Sequence, residues 1–421
     1  MFFKAFSAPY ISDLYRYYLN SDLLPNPADI RILAIGDPQI DGAWPNTTPR
    51  KRLDIFGNDY YLGHIYSVMK RRLQPSVVTV LGDLISCNWV SDSEYFNRTE
   101  RYANRLFPRP DSVRPDSPSA IDLLERRGIR NQSSYEKWFH NALKSNIFDD
   151  SYFGYEDLNS WSNDSSEPLF INTTGNHDIG YSGEMTYDNI YRWNKFYGKD
   201  NFWIEYAKNT SHPWRIVVLN SLMLDGPAKH NDFVEANWNF VRTVSNRQFN
   251  GSTILVTHVP LFKPAGVCSD PPQTQFFTKE NSAAYDWNKI GNLKSQNLLS
   301  YETSQKVLDA LFRNNQPGII LNGHNHEGCL SYYSRDQSGE WIVSKDRPIN
   351  DTGSYIREVT VRSIMGDYDG STGIVTGHFD NNKKIWRFEY SVCPFVVQHV
   401  WWASKVTLLI SILLQSIAFF V

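Results

Sequence analysis

Five stretches of this chain share one pattern, a run of Ile, Val and Leu that stops abruptly at Asp, Asn or His. They read RILAIGDPQ (31–39), SVVTVLGDL (76–84), LFINTTGNHD (169–178), STILVTHVP (252–260) and GIILNGHNHEG (318–328). A short, continuous apolar run marks a strand buried on both faces, which points to an α/β fold with parallel strands. Sheets of that kind bind ligands outside the carboxyl ends of their strands, where all five polar clusters fall.

The intervening sequence fits such a sheet. A strand at 31–36, an amphipathic helix around 53–73 and a strand at 77–82 make a βαβ unit with a right-handed crossover. Leu53, Phe56, Tyr60, His64 and Val68 supply that helix's apolar spacing. A second helix is expected over 91–106, capped by Ser91 or Asp92. The segment 107–168, rich in Pro, Ser and charge, reads as an insertion over the sheet. Helices at 184–198, 230–246 and 304–314, the last capped by Thr303, alternate with strands at 214–221, 252–257 and 318–322. Residues 263–299 form a loop long enough to be a substrate-facing lid. The remainder to about 395 reads as a second sheet of short strands. One domain over 28–398 follows, preceded by a segment, 1–27, that lacks the uninterrupted apolar core of a signal peptide.

The 421 residues are 41% hydrophobic and 14% aromatic, which excludes general disorder. With 42 basic and 45 acidic residues the net charge is −3, so no positive field exists to hold a polyanion, and nucleic acid is not an expected partner. The four cysteines, Cys87, Cys268, Cys329 and Cys393, have no C-x-x-C spacing. They can pair in three ways or remain buried thiols. Residues 400–421 are apolar for about 20 residues, the length of a membrane span, with Trp401 and Trp402 at an interface position and Lys405 able to snorkel; a C-terminal transmembrane helix is expected. Eight N-x-S/T sequons (Asn46, Asn97, Asn131, Asn163, Asn172, Asn209, Asn250, Asn350) argue against a cytosolic body. Composition leaves the compartment open.

The polar residues that end the strands are the types a two-metal phosphoester-cleaving site needs. Two neighbouring cations require a carboxylate able to bridge them, and Asp83 is the candidate. Asp37, Gln39 and His326 would complete one shell; Asn176, His258 and His324 would complete the other. The spacing of His324 and His326 puts both imidazoles on one side of an extended segment. His177, beside a ligand, is the candidate general acid, with Asp178 placed to orient it. Mixed oxygen and imidazole ligation suits Mn²⁺, Fe or Zn. His64, His140, His212, His230, His378 and His399 belong to no such pattern and carry no assigned role.

These motifs resemble the calcineurin-like metallophosphoesterases, whose signature is D-x-H, GD, GNH(D/E), H and GHxH. Gln39 stands where that family has the histidine of D-x-H, and its neutral amide oxygen donates less strongly than imidazole, so that ion is expected either to be bound more weakly or to be a harder metal such as Mn²⁺. The implied fold is a two-sheet β-sandwich flanked by helices. TGNHDIGYSGEMTYDNIYRWNKFYG (174–198), SQKVLDALF (304–312) and VRSIMGDYDG (361–370) are more narrowly similar to the endoplasmic-reticulum phosphoesterases that remodel GPI glycans. That resemblance implies two divalent ions, with Mn²⁺ the expected metal, and removal of phosphoethanolamine from a mannose of the GPI anchor. It further implies a lumenal catalytic domain on the endoplasmic-reticulum membrane, GPI-anchored proteins as substrates, and coupling to cargo receptors and export to the Golgi. The other readings are a protein phosphatase or nucleotidase of the same superfamily, which shares every ligand, and a non-catalytic cargo-receptor adaptor that keeps the fold.

Overall fold

The computed structural model describes residues 30–109, 127–158, 167–282, 287–348, 355–368, 370–394 and 398–420. The N-terminal segment 1–27 and the stretches 110–126 and 159–166 of the expected insertion lie outside the described residues.

Each of the five apolar runs forms a strand. In chain order the strands are β1 (Ile30–Ile35), β2 (Val77–Val80), β3 (Gly154–Glu156), β4 (Leu169–Asn172), β5 (Phe202–Tyr206), β6 (Trp214–Val218), β7 (Ser252–Val256), β8 (Thr274–Phe276), β9 (Leu293–Gln296) and β10 (Gly318–Asn322). They are followed by β11 (Cys329–Arg335), β12 (Trp341–Ser344), β13 (Ile356–Thr360), β14 (Ser371–Asp380) and β15 (Ile385–Pro394). One sheet has the order β15-β14-β1-β2-β4 and the other β12-β11-β13-β10-β7-β6-β5-β3. β1, β2 and β4 run parallel in the first, and β6, β7, β10 and β13 in the second. Their carboxyl ends therefore share one edge of each sheet.

Burial on both faces of the strands explains why the runs are apolar without alternation. Successive side chains point to opposite faces. Ile30, Ile32 and Ala34 of β1 meet Ile254, Val256, Ile319 and Leu321 of the other sheet in an inter-sheet core. Leu33, Ile35, Val78 and Val80 face outward onto Tyr66, Met69 and Leu73 of helix α1 (Pro49–Leu73). The remaining helices are α2 (Asp92–Arg101), α3 (Gln132–Lys144), α4 (Tyr187–Phe196), α5 (Asn231–Asn246) and α6 (Tyr301–Phe312). Val241, Val244, Val307 and Leu311 of α5 and α6 cover Val217, Leu255 and Ile320 on the outer face of the second sheet.

Several local expectations change. α1 begins at Pro49 because Thr48 caps it, accepting from Lys51 N. Its buried side is Ile55, Asp59, Tyr66, Met69 and Leu73, while Leu53, Phe56, Tyr60 and His64 face solvent. The reason is Asp59, a buried carboxylate gripped by Arg101 at 2.7 and 2.9 Å, which turns a polar position inward. α6 is capped by Ser300, whose Oγ accepts from Thr303 N, rather than by Thr303. The segment 107–168 supplies α3 and the edge strand β3, and the lid region 263–299 holds the β8–β9 hairpin.

The C-terminal expectation is corrected. Among the described residues no helix is long and apolar enough to cross a membrane. Residues 398–420 do form a helix, α7 (Gln398–Phe420). Ser404, Lys405, Thr407, Ser411, Gln415 and Ser416 break its apolar surface, however.

Candidate metal centre

Four strands and the turn after a fifth deliver the site. β1 ends in Asp37, β2 in Asp83, β7 in His258 and β10 in His324 and His326, while Asn176, His177 and Asp178 lie in the turn of helix that follows β4. Asp37, Gln39, Asp83 and His324 all adopt left-handed backbone, with φ of 44°, 39°, 51° and 72°. For residues other than glycine that conformation is strained, and strain concentrated at one spot marks a functional site. Gly175 must be glycine, because a Cβ there would meet Asp83 N at 2.0 Å.

The ligand atoms fall into two groups that share Asp83. Asp83, His258 and His324 each offer an atom within 4.8 Å of the others, and so do Asp37, Asp83 and His326. Asn176 Oδ1 is 3.1 Å from His258 Nε2, which places it with the first group. Gln39 Nε2 lies 3.2 Å from Asp83 Oδ2 and 3.1 Å from His326 Nε2, which places the Gln39 amide with the second.

Three of the imidazoles, those of His258, His324 and His177, are aimed by their other nitrogen. His258 Nδ1 is 2.7 Å from Leu81 O, leaving Nε2 toward Asp83 Oδ1 at 3.4 Å. His324 Nε2 is 2.9 Å from Gln296 O, leaving Nδ1 for the centre. His177 Nδ1 is 2.8 Å from Ser86 O, and its Nε2 stands 3.9 Å from Asp83 Oδ2. Backbone carbonyls thus set each tautomer. Asp178 does not orient His177. Its oxygens accept from Leu84 N, Ile85 N and Gly175 N at 2.8, 3.1 and 2.8 Å, tying the Asp83 turn to the Asn176 turn.

The electrostatics fit a pair of cations. Burial, then the charge of Asp83, raises Asp37 well above the carboxylate range, against the pull of His324 N–H. Burial also raises Asp83, but His258, His177 and His324 outweigh it and hold that carboxyl low. Burial lowers His258 and His326, and lowers His324 to about 3 with help from His258. Asp37 and Asp83 repel one another in a buried site whose three imidazoles are held neutral, the form that ligates a metal, and bound cations would relieve the repulsion that raises Asp37.

Motif reading missed the two tyrosines that pack beside the histidines. Tyr181 OH lies 3.2 Å from Gln296 O and 3.4 Å from His324 Nε2, and Tyr368 packs edge-on against His326 at 4.5 Å. A disulfide joins Cys268 to Cys329, three residues past His326, so the lid region is fastened to the His324–His326 turn; Cys87 and Cys393 are free. Asn325 Nδ2 adds a 3.0 Å bond to Asp270 on the same lid.

A family model described as calcineurin-like phosphoesterase matches residues 30–328. The chain is 46% identical to Protein TED1 of Saccharomyces cerevisiae, over 94% of this chain and 84% of that one. It is 26% identical to an uncharacterized protein of Schizosaccharomyces pombe, over 76% and 69% of the two chains. A crystal structure of a dimetal phosphatase from Danio rerio matches with a TM-score of 0.35 and 11% identity, covering 88% of this chain and all of that one.

Proposed function

The chain belongs to the calcineurin-like phosphoesterase family, and from that premise we propose that it is a phosphodiesterase that removes phosphoethanolamine from a mannose of the GPI glycan in the lumen of the endoplasmic reticulum, aiding export of GPI-anchored cargo. The observation that carries the chemistry is the sharing of Asp83 between two ligand groups with His177 Nε2 alongside. Two divalent ions held there would neutralise phosphoryl charge and lower the pKa of an attacking water.

The chain's own groups do the rest. Asp83 bridges the two ligand groups. Gln39 can present its amide oxygen beside Asp83 and His326, which makes Mn²⁺ the first metal to test. With Nδ1 committed to Ser86 O, His177 exchanges its proton at Nε2, where it can protonate a departing alkoxide. The lumenal assignment is supported by the Cys268–Cys329 disulfide, which fits an oxidising compartment. The glycan assignment is supported by the likeness of 174–198, 304–312 and 361–370 to GPI-remodelling enzymes.

The test is hydrolysis of a mannosyl phosphoethanolamine by purified protein with Mn²⁺. Release of ethanolamine phosphate, lost in Asp83→Asn and reduced at least about 100-fold in His177→Ala, is the expected result. Rapid hydrolysis of soluble phosphomonoesters with the glycan left intact would instead make it a phosphatase or nucleotidase. Normal cargo export in cells carrying only Asp83→Asn would favour the adaptor.

A further inference from the structure

The turns that carry Asp37 and Asp83 continue side by side beyond the metal ligands, and each arrives at a tryptophan. Ile40 N donates to Leu84 O at 3.0 Å and Ser86 N to Ile40 O at 3.1 Å, which brings the two loops out at one patch. There the rings of Trp44 and Trp89 stack, with centroids 5.6 Å apart and planes 7° from parallel. Both remain open to solvent, Trp44 at 40% and Trp89 at 73%.

The backbone beneath them is held firmly. Buried Arg192 donates to Asn88 O at 2.7 Å and to Val90 O at 2.8 Å, the carbonyls on either side of Trp89. Trp44 N donates to Thr47 Oγ1 at 2.7 Å, and its carbonyl accepts from Thr47 N at 2.9 Å and Arg52 Nη2 at 2.7 Å. Buried Arg98 joins the loops from below, reaching Ile40 O at 3.4 Å and Ser86 Oγ at 2.7 Å. The fixed backbone thus holds two indoles whose outer surface stays open to solvent. This is the arrangement of a pre-organised aromatic surface awaiting a ligand.

The surface is close to the chemistry. Ser86, whose carbonyl holds His177, precedes Trp89 by three residues. At roughly 3.3–3.6 Å of reach per residue, the two Cα atoms are at most about 11 Å apart.

We propose that the Trp44–Trp89 stack is a carbohydrate subsite. The apolar C–H face of a hexopyranose lies flat on the open side of Trp89 while a neighbouring phosphorylated sugar reaches the metal centre. A pyranose ring matches an indole in size, and its polarised C–H groups favour the negative face of the π system. Binding energy from a sugar remote from the phosphorus is what holds a flexible glycan in register for reaction. This inference rests on the glycan reading above, and its test separates the two.

The probe is phosphate-free α-mannotriose, with binding followed by saturation-transfer NMR on the full chain. The wild type should show transfer to the ring C–H protons, Trp89→Ala should weaken binding roughly tenfold or more, and Trp89→Phe should fall between them. The ratio of kcat/KM on a mannosyl phosphoethanolamine to that on a small aryl diester should drop by a similar factor in Trp89→Ala. A wild type that does not bind mannotriose, or equal binding by Trp89→Ala, overturns the proposal. Mannotriose binding through Trp89 in a protein that cleaves no mannosyl phosphodiester would sustain the subsite and refute the proposed reaction. Loss of binding to phosphatidylcholine vesicles in Trp89→Ala, with mannotriose binding intact, would make the pair a lipid contact and also overturn it.

Discussion

Replacing Glu358 with Gln should cost about 4 kcal/mol of stability, because it strands a buried lysine. Glu358 is fully buried on β13, and its Oε2 lies 2.5 Å from the Nζ of equally buried Lys263. Oε2 also accepts from Tyr333 OH at 2.9 Å and Ser331 Oγ at 3.3 Å. Oε1 accepts from Leu261 N at 2.9 Å and Asn322 Nδ2 at 2.7 Å. Burial lowers the Lys263 ammonium, and the Glu358 charge is what opposes that fall. An amide keeps one acceptor oxygen but turns an NH₂ group toward donors. Breaking a buried pair costs about 3–5 kcal/mol, and each stranded polar group about 1–3, with the two overlapping. Lys263→Met is milder, about 2 kcal/mol, since Glu358 keeps four neutral donors. The double variant should be more stable than the sum of losses implies, with a coupling of at least about 1 kcal/mol. Urea unfolding at fixed metal concentration reads all three. A loss below about 1 kcal/mol for Glu358→Gln, or strict additivity, would refute the reasoning. Leu261 follows His258 by three residues and Asn322 precedes His324 by two. Glu358→Gln should therefore also weaken metal binding.

The Cys268–Cys329 bond closes a sequence separation of 61 residues, and chain entropy puts its contribution near roughly 4 kcal/mol. The Cys268→Ser/Cys329→Ser variant should show that loss in chemical denaturation, and proteolysis should cut first within 263–299; unchanged stability and cleavage would contradict this. Burial pushes the Cys393 thiol up to about 12, so at pH 8 it holds almost no thiolate. It should resist iodoacetamide in the native protein and react fully in urea, as peptide mass spectrometry would show. Rapid native alkylation would mean that the Cys393 end of β15 does not stay packed beside Thr372 of β14.

Legibility in the sequence followed the physics of each feature. Strands buried on both faces leave unbroken apolar runs, so β1, β2, β4, β7 and β10 and the residues at their ends could be read directly. Asp37, Asp83, Asn176, His258, His324 and His326 do converge, divided about Asp83. What could not be read depends on backbone atoms or tertiary choice. Leu81 O, Ser86 O and Gln296 O aim the histidines, and a carbonyl leaves no trace in residue type. Asp178 was readable as part of the site but not as a tie between two turns, since its partners are all N–H groups. The buried face of α1 was misread because the Asp59–Arg101 pair overrides apolar spacing. The C-terminal run looked like a membrane span when its polar residues were discounted, and the helix formed there is not long and apolar enough.

The central claim is that these side chains hold two cations about Asp83. Crystals grown with MnCl₂ and measured at the manganese edge test it most directly. The account predicts two anomalous peaks per chain, about 3.5–4 Å apart, both in contact with Asp83, and loss of at least one in Asp83→Asn. Peaks away from Asp83, or full dinuclear occupancy in Asp83→Asn, would contradict it.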